Sequence, residues 1–323
     1  YYATEKADAQ CVASIDIGGG SVDTVVYKDG SPMFATSSLF GCDVLWGNGR
    51  DNVNVANSKA NPILKKLADT IASRFNGELK TINETMIADD SVYSSSDIIN
   101  FWLSNDNHSQ VSKELKLSAY HPVYVAHFYA IAYHLAQTMK LKAISAPVEI
   151  SLSGNGSLYL GYLPKDYLTT IATTAFEDIY GDDVNPIKIT LPTDNMYRGK
   201  EMTAFGGLKS TEEIPQIDPY IYLGGDPNFD ISQVNNVVEE DGALRENIAI
   251  SIAENVCQLE KNIEELLSKL KMPMRNISSA VGEHRTTLIK AAKDVRYINT
   301  RSVVSTLFFA PAQQLIFNIE SKL

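Results

Sequence analysis

Apolar residues near the start of the chain are grouped in short stretches that have the length of β-strands. Residues 11–17, 22–28 and 32–38 are predicted to be strands, because apolar residues are concentrated there and turn-forming residues separate them. Lys28-Asp29-Gly30-Ser31 lies between the last two stretches and is typical of a tight hairpin. The chain is therefore expected to begin with three strands joined by hairpins.

Beyond residue 40, helical patterns alternate with short apolar stretches. Residues 120–141 give the clearest helical pattern, with apolar side chains at helical spacing from Val125 to Met139. The predicted helices are 61–75, about 95–104, 120–141, 164–180 and 198–208, and the predicted strands are 148–152 and 186–191. This order predicts a mixed sheet, in which the first three strands are antiparallel, the last two are added in parallel, and helices cover both faces. The strand at 11–17 is expected to lie next to the strand at 148–152.

The last third of the chain is predicted to be helical. A long helix over about 231–271 carries a heptad seam, in which apolar residues alternate at spacings of four and three. The seam consists of Ile252, Val256, Leu259, Ile263, Leu266 and Leu270. This helix either packs on its own domain or on a helix from 285–322, or it contacts a protein partner or a second copy. Pro311 is expected to begin a last helix.

Composition excludes several classes of function. With 323 residues and 44% hydrophobic content, the chain is long enough for a real core. Its net charge of −11 argues against nucleic acid and anionic membranes as partners, and no apolar run is long enough to span a bilayer. Three scattered cysteines are expected to be reduced thiols in a cytoplasmic protein. Because the chain begins with Tyr1-Tyr2, we expect it to be part of a longer polypeptide.

The run from Asp16 to Asp23, Asp-Ile-Gly-Gly-Gly-Ser-Val-Asp, is the most informative motif in the sequence. Glycines allow positive φ and bring backbone N–H groups close to a ligand, and a row of such amides binds anions, phosphate above all. A carboxylate on either side suits a hydrated Mg²⁺, which prefers one or two carboxylates plus water. The alternative is a glycine-rich hairpin with a solvated aspartate at each end.

Two further motifs follow in order. The strand at 148–152 ends in Leu152-Ser153-Gly154-Asn155-Gly156-Ser157, and a glycine pair closes the predicted helix over Lys200-Glu201-Met202-Thr203-Ala204-Phe205-Gly206-Gly207-Leu208. Together with the run from Asp16 to Asp23, these motifs resemble the second lobe of the actin-like ATPases, which include actin, heat-shock chaperone ATPase domains and bacterial filament proteins. Asn155 stands where the family has a second glycine, and Asn tolerates a left-handed backbone better than other non-glycine residues.

The resemblance implies the fold class and the domains. It implies an α/β fold, with a ribonuclease-H-like mixed sheet of the actin-like ATPase type, over residues 1–209. A small subdomain would be inserted at about 41–118, and residues 210–323 would form a helical C-terminal extension.

The resemblance also implies the cofactors, ATP or ADP with Mg²⁺, and a role for each site residue. Asp16 and Asp23 would be catalytic and would hold the metal through water. Gly18, Gly19 and Gly20 would give backbone N–H groups to the β- and γ-phosphates, and Ser21 would add its hydroxyl. Gly154, Asn155 and Gly156 would lie against the adenosine or its α-phosphate. Asp23 would face the cleft because residues two apart on a strand share a side.

Family members hold the nucleotide between two lobes, and no second phosphate loop occurs in this sequence. The expected partner is therefore the missing N-terminal lobe of the same polypeptide. A protein partner or a second copy could also bind through residues 231–271. The intact protein would then be an ATPase, and this chain alone is expected to be inactive, because hydrolysis needs groups from both walls. A scaffold or chaperone-like interaction module, and a sugar or acyl kinase or exopolyphosphatase-like phosphotransferase, remain as alternatives.

Overall fold

The computed structural model describes residues 11–46, 77–88, 119–191, 224–225, 246–272, 281–293 and 307–320. The strands are β1 (Cys11–Ile17), β2 (Val22–Lys28), β3 (Ser31–Ser38), β4 (Glu149–Ser153) and β5 (Lys188–Thr190). The helices are α1 (Asp43–Trp46), α2 (Gly77–Ala88), α3 (His121–Leu141), α4 (Lys165–Tyr180), α5 (Glu246–Lys269), α6 (Val281–Lys293) and α7 (Phe309–Glu320). A 3-10 helix, Asn155–Tyr162, follows β4 directly.

The strands form one five-stranded mixed sheet in the order β3-β2-β1-β4-β5. β1 pairs antiparallel with β2, and β2 pairs antiparallel with β3. On the other side of β1, β4 and β5 are added in parallel. The predicted strand directions and the predicted neighbourhood of the first strand and 148–152 are therefore confirmed.

The sheet has one apolar face and one face that carries polar side chains at the end of β1. Because side chains alternate along a strand, Ala13, Ile15 and Ile17 share a face, and all three are buried. Asp16 lies on the opposite face, where it is in register with Asp23 of β2 and Ser153 of β4. Register alone thus brings the aspartates of the glycine-rich motif side by side.

Helix α3 is the central helix of the apolar core. Pro122 lies in its first turn, where the missing N–H costs no helical hydrogen bond. Most of its residues are buried, including polar His127, His134 and Thr138. Since α3 packs against α4, α5 and α7, a helix without a wide polar face is stable here because neighbours cover nearly every side.

Helix α5 buries its heptad seam within this chain. Ile252, Val256 and Leu259 are fully buried, and α5 packs against α6, α7 and α3. The interpretation that this helix packs on its own domain and on helices from the end of the chain is therefore confirmed for its described part. A partner contact through residues 231–271, and the domain boundary at residue 209, stay predictions.

Several elements differ from the sequence prediction. α1, α2 and the 3-10 helix were not predicted, and β5 is shorter than the predicted strand at 186–191. The predicted helices at 61–75, 95–104 and 198–208, and the first part of 231–271, lie outside the described residues. Within the described ranges, no helix combines the length and hydropathy needed to cross a membrane.

Candidate functional site

The glycine-rich run forms the turn between β1 and β2. The Gly18 N–H donates a hydrogen bond to the Ser21 carbonyl at 2.8 Å, which closes the turn. No positive φ occurs at Gly18, Gly19 or Gly20. The expectation that these glycines serve to reach positive φ is therefore wrong. A Cβ on Gly18 would lie 3.3 Å from the Ser21 carbonyl oxygen, whereas a Cβ on Gly19 or Gly20 would make only ordinary contacts with Asp43.

All three glycine carbonyls point toward the segment 41–43. The N–H of Cys42 donates to the Gly18 carbonyl at 3.0 Å, and that of Asp43 donates to the Gly19 carbonyl at 2.8 Å. A third bond, 3.3 Å long, joins Gly41 to the Gly20 carbonyl. In a trans peptide the C=O and the following N–H point in opposite directions. The amides of Gly19, Gly20 and Ser21 must therefore point away from segment 41–43.

The loop after β4 packs against the turn from the side of β1. Gly154 has φ +79°, and a Cβ there would overlap Asp16 Oδ1 and the Ile17 carbonyl oxygen. A Cβ at Gly156 would overlap the Gly18 carbonyl oxygen. Neither position tolerates a side chain without movement of backbone, and this explains why both predicted adenosine-loop residues are glycine.

Asn155 occupies a less demanding position than its two neighbours. Its side chain is exposed, and it does not have positive φ. The tolerance of Asn for a left-handed backbone is therefore not needed at position 155. The left-handed position is Gly154, and Ser157 fixes the turn by donating from Oγ to the Gly154 carbonyl at 2.7 Å.

Segment 41–43 borders the glycine-rich turn and was not among the predicted site residues. Gly41 is buried, and a Cβ on it would lie 2.7 Å from the Gly18 carbonyl oxygen. Asp43 begins α1, and its Oδ1 would be 3.4 Å from a Cβ placed on Gly19. The sequence signal was a glycine and an aspartate two residues apart just after a strand, which is also typical of an ordinary loop.

The carboxylates of the site have different surroundings. Asp16 is half-buried and accepts a hydrogen bond at Oδ2 from Ser153 Oγ at 3.1 Å. Asp23 is exposed and accepts one at Oδ2 from Ser21 Oγ at 3.3 Å. Among the described residues, no group of three or more His, Cys, Asp or Glu side chains is placed to hold a metal ion directly. Asp16 and Asp23, which are neighbours across β1 and β2, are a donor set that fits a hydrated Mg²⁺, since that ion needs only one or two carboxylates.

A buried histidine lies behind the two loops. His127 of α3 stacks on Phe40 with ring centroids 4.7 Å apart, and its ring nitrogens lie near the Tyr159 hydroxyl and the Phe40 carbonyl. Burial lowers the pKa of His127 to about 4, although the Phe40 and Gly41 backbone groups oppose this shift. The ring is therefore neutral at physiological pH.

No protein-family model and no curated protein matches the chain. Among solved structures, the chain is similar to a Bacillus thuringiensis ParM hybrid protein with ADP, containing two ParM mutants. The similarity covers 68% of this chain and 26% of that one, with 14% sequence identity and a TM-score of 0.22. Because the identity and the TM-score are both low, this similarity carries no argument about the function of the chain.

Proposed function

We propose that the turn from Gly18 to Ser21 binds the phosphate groups of an adenine nucleotide. The observation that carries this proposal is the common direction of the three glycine carbonyls toward segment 41–43. It directs the amides of Gly19, Gly20 and Ser21 to the opposite side, where successive N–H groups could bind an anion together. The Gly18 amide, which bonds to Ser21, would close the turn rather than contact phosphate.

Asp16 and Asp23 would hold Mg²⁺ through its water shell. They are direct partners across β1 and β2, so both carboxylates lie on the same face of the sheet, at the ends of the glycine-rich turn. Mg²⁺ retains several waters and needs few protein ligands when phosphate supplies the others. Without a metal, the two carboxylates would repel the negatively charged phosphate. A bound Mg²⁺ would neutralise this charge.

Gly154, Asn155 and Gly156 would contact the adenosine or its α-phosphate. The close approach of Gly154 and Gly156 to the end of β1 puts this loop next to the phosphate-binding turn. This arrangement, together with the motifs in order along the chain, supports the second lobe of an actin-like ATPase as the source of the fold. Turnover would require a second lobe carrying the remaining phosphate contacts, so we expect none from this chain alone.

The proposal is tested by nucleotide titration of the 323-residue chain, followed by amide chemical shifts in solution. We expect Mg-ATP and Mg-ADP to shift the amides of Gly19, Gly20 and Ser21 selectively. Because half of the phosphate contacts would be missing, we expect affinity no better than the high micromolar range, and each decade corresponds to about 1.4 kcal/mol. Unchanged turn amides at millimolar nucleotide would refute the proposal.

Asp16→Asn provides the decisive variant, since it keeps the shape and the bond from Ser153 but removes the charge. We expect it to abolish the Mg²⁺ dependence of nucleotide binding with little loss of stability. Asp29→Asn is the matched control, because it removes the same charge in the turn between β2 and β3, where φ of +50° suits Asn. Equal effects of the two variants on binding would mean that only net charge matters.

In the intact polypeptide, the same variant separates a catalytic from a structural role. Asp16→Asn should reduce metal-dependent ATP hydrolysis far more than it lowers the melting temperature. Normal hydrolysis with a melting temperature several degrees lower would make Asp16 structural. Product formation from a sugar or acyl substrate would instead favour the phosphotransferase alternative.

A further inference from the structure

His127 bonds to both segments that surround the glycine-rich turn. Its Nε2 lies 3.0 Å from the Phe40 carbonyl oxygen, and its Nδ1 lies 2.5 Å from the Tyr159 hydroxyl oxygen. Phe40 comes directly before segment 41–43, and Tyr159 lies in the 3-10 helix Asn155–Tyr162, whose N-cap is Gly154. A single side chain of α3 thus joins the two loops from behind.

The partners determine which nitrogen carries the proton. The Phe40 carbonyl can only accept, so Nε2 must carry the hydrogen and donate it. A neutral ring then has its lone pair on Nδ1, which accepts the hydrogen bond from the Tyr159 hydroxyl. The order of donation is therefore Tyr159 Oη–H to His127 Nδ1, and His127 Nε2–H to the Phe40 carbonyl.

Because these groups are buried, the two hydrogen bonds of His127 are costly to break. His127 and Phe40 are completely buried, and Tyr159 is 3% exposed. Phe40 also packs on Phe309 of α7 with ring centroids 4.5 Å apart. No water competes for the ring nitrogens at such a site, and removal of one partner leaves the other unsatisfied. Rigid α3 and α7 therefore fix where both loops lie.

We infer that His127 is a positioning residue that clamps segment 41–43 and the 3-10 helix on either side of the Gly18–Ser21 turn. The inference rests on the proposed function in one respect, namely that the clamped amides bind phosphate. The clamp acts through backbone: segment 41–43 donates three hydrogen bonds to the glycine carbonyls, and these bonds determine where the amides of Gly19, Gly20 and Ser21 point. Preorganised amides bind anions better because they need no reordering.

Three variants test the clamp. Tyr159→Phe removes only the hydroxyl, whereas His127→Leu removes both ring nitrogens at similar bulk. His127→Gln keeps one donor and one acceptor and is the conservative rescue. His134→Gln is the matched control, because His134 is also buried in α3 but packs on Phe308 and Phe309.

Amide hydrogen exchange measures the clamp without nucleotide. The readout is exchange at Gly41, Cys42 and Asp43, whose N–H groups donate to the turn. We expect about tenfold faster exchange in Tyr159→Phe and His127→Leu, with partial recovery in His127→Gln and no change in α5. Exchange equal to that of His134→Gln in both variants would overturn the inference. Tyr159→Phe keeps the test valid if His127→Leu fails to fold.

Nucleotide binding then separates the inference from the proposed function. We expect Mg-ATP to bind about tenfold more weakly to Tyr159→Phe than to wild type or His134→Gln, which corresponds to about 1.4 kcal/mol. If wild type binds no nucleotide while the amides respond to Tyr159→Phe, the clamp is supported and the proposed function is refuted. If nucleotide binds wild type and Tyr159→Phe equally, the clamp has no positioning role.

Discussion

Gly154 carries two separate constraints, and their energies are measurable with four glycine-to-alanine variants. Its φ of +79° and ψ of 150° fall in a region that is essentially restricted to glycine, and it also approaches Asp16 and the Ile17 carbonyl too closely for a Cβ. Gly181 has φ of +101° but open space around it, whereas Gly156 has a close approach without positive φ. Gly161 has neither constraint.

These differences give an expected order of stabilities. Gly161→Ala should change the free energy of unfolding by less than about 0.5 kcal/mol, as surface substitutions generally do. Gly181→Ala should cost about 1–2 kcal/mol for backbone strain, and Gly156→Ala should cost about 1–3 kcal/mol for overpacking against Gly18. Gly154→Ala combines both effects, and we expect it to lose about 4 kcal/mol.

Urea unfolding followed by circular dichroism measures all four variants against wild type. The slopes should stay constant, because only stability is expected to change. If Gly154→Ala costs no more than Gly181→Ala, the close packing of the loop after β4 on the end of β1 is not present in solution. In that case the loop after β4 would not border the glycine-rich turn, and only segment 41–43 would.

Three further predictions concern the buried core. Burial lowers the pKa of His127 to about 4 in the folded state, so acid protonates this histidine in the unfolded chain first and favours unfolding. The free energy of unfolding of wild type should therefore fall by up to about 3 kcal/mol between pH 6.5 and 4. His127→Gln should not show this fall, and urea unfolding at each pH measures the difference. Asn255 donates to the Gly224 carbonyl at 2.6 Å, and Asn255→Leu should cost about 2 kcal/mol by leaving its partners unpaired. Burial raises the pKa of Cys11 to about 11, so thiol reagents at pH 8 should label it only as fast as the chain unfolds, as followed by peptide mass spectrometry.

The sequence by itself determined the local elements and the order of the sheet. Apolar patterning and turn residues place β1, β2 and β3 within one residue of their observed bounds, because strand length and hairpin chemistry are local properties. The same holds for α3 and for α4, whose apolar periodicity is long. The heptad seam of α5 also predicted a buried face, but the pattern does not identify the helices that cover this face.

Tertiary structure decided which backbone groups surround the glycine-rich turn. The sequence suggested that the backbone N–H groups of Gly18, Gly19 and Gly20 bind phosphate. In the structure, segment 41–43 donates hydrogen bonds to the carbonyls of these three glycines, so the N–H groups that point away from this segment are those of Gly19, Gly20 and Ser21. Nothing local in the sequence connects Gly41 with Gly18, because their contact depends on how the chain returns after β3. A contact between two distant backbone segments leaves no periodic pattern of residues in the sequence.

His127 illustrates the same limit. In the sequence it is one polar residue within the apolar pattern of a helix, and that pattern predicts burial without indicating a partner. Its partners, Phe40 and Tyr159, are 87 and 32 residues away. The sequence therefore determined that α3 would be buried, and only packing decided that its histidine would join the two loops, because hydrogen-bond partners of a buried side chain are set by the fold.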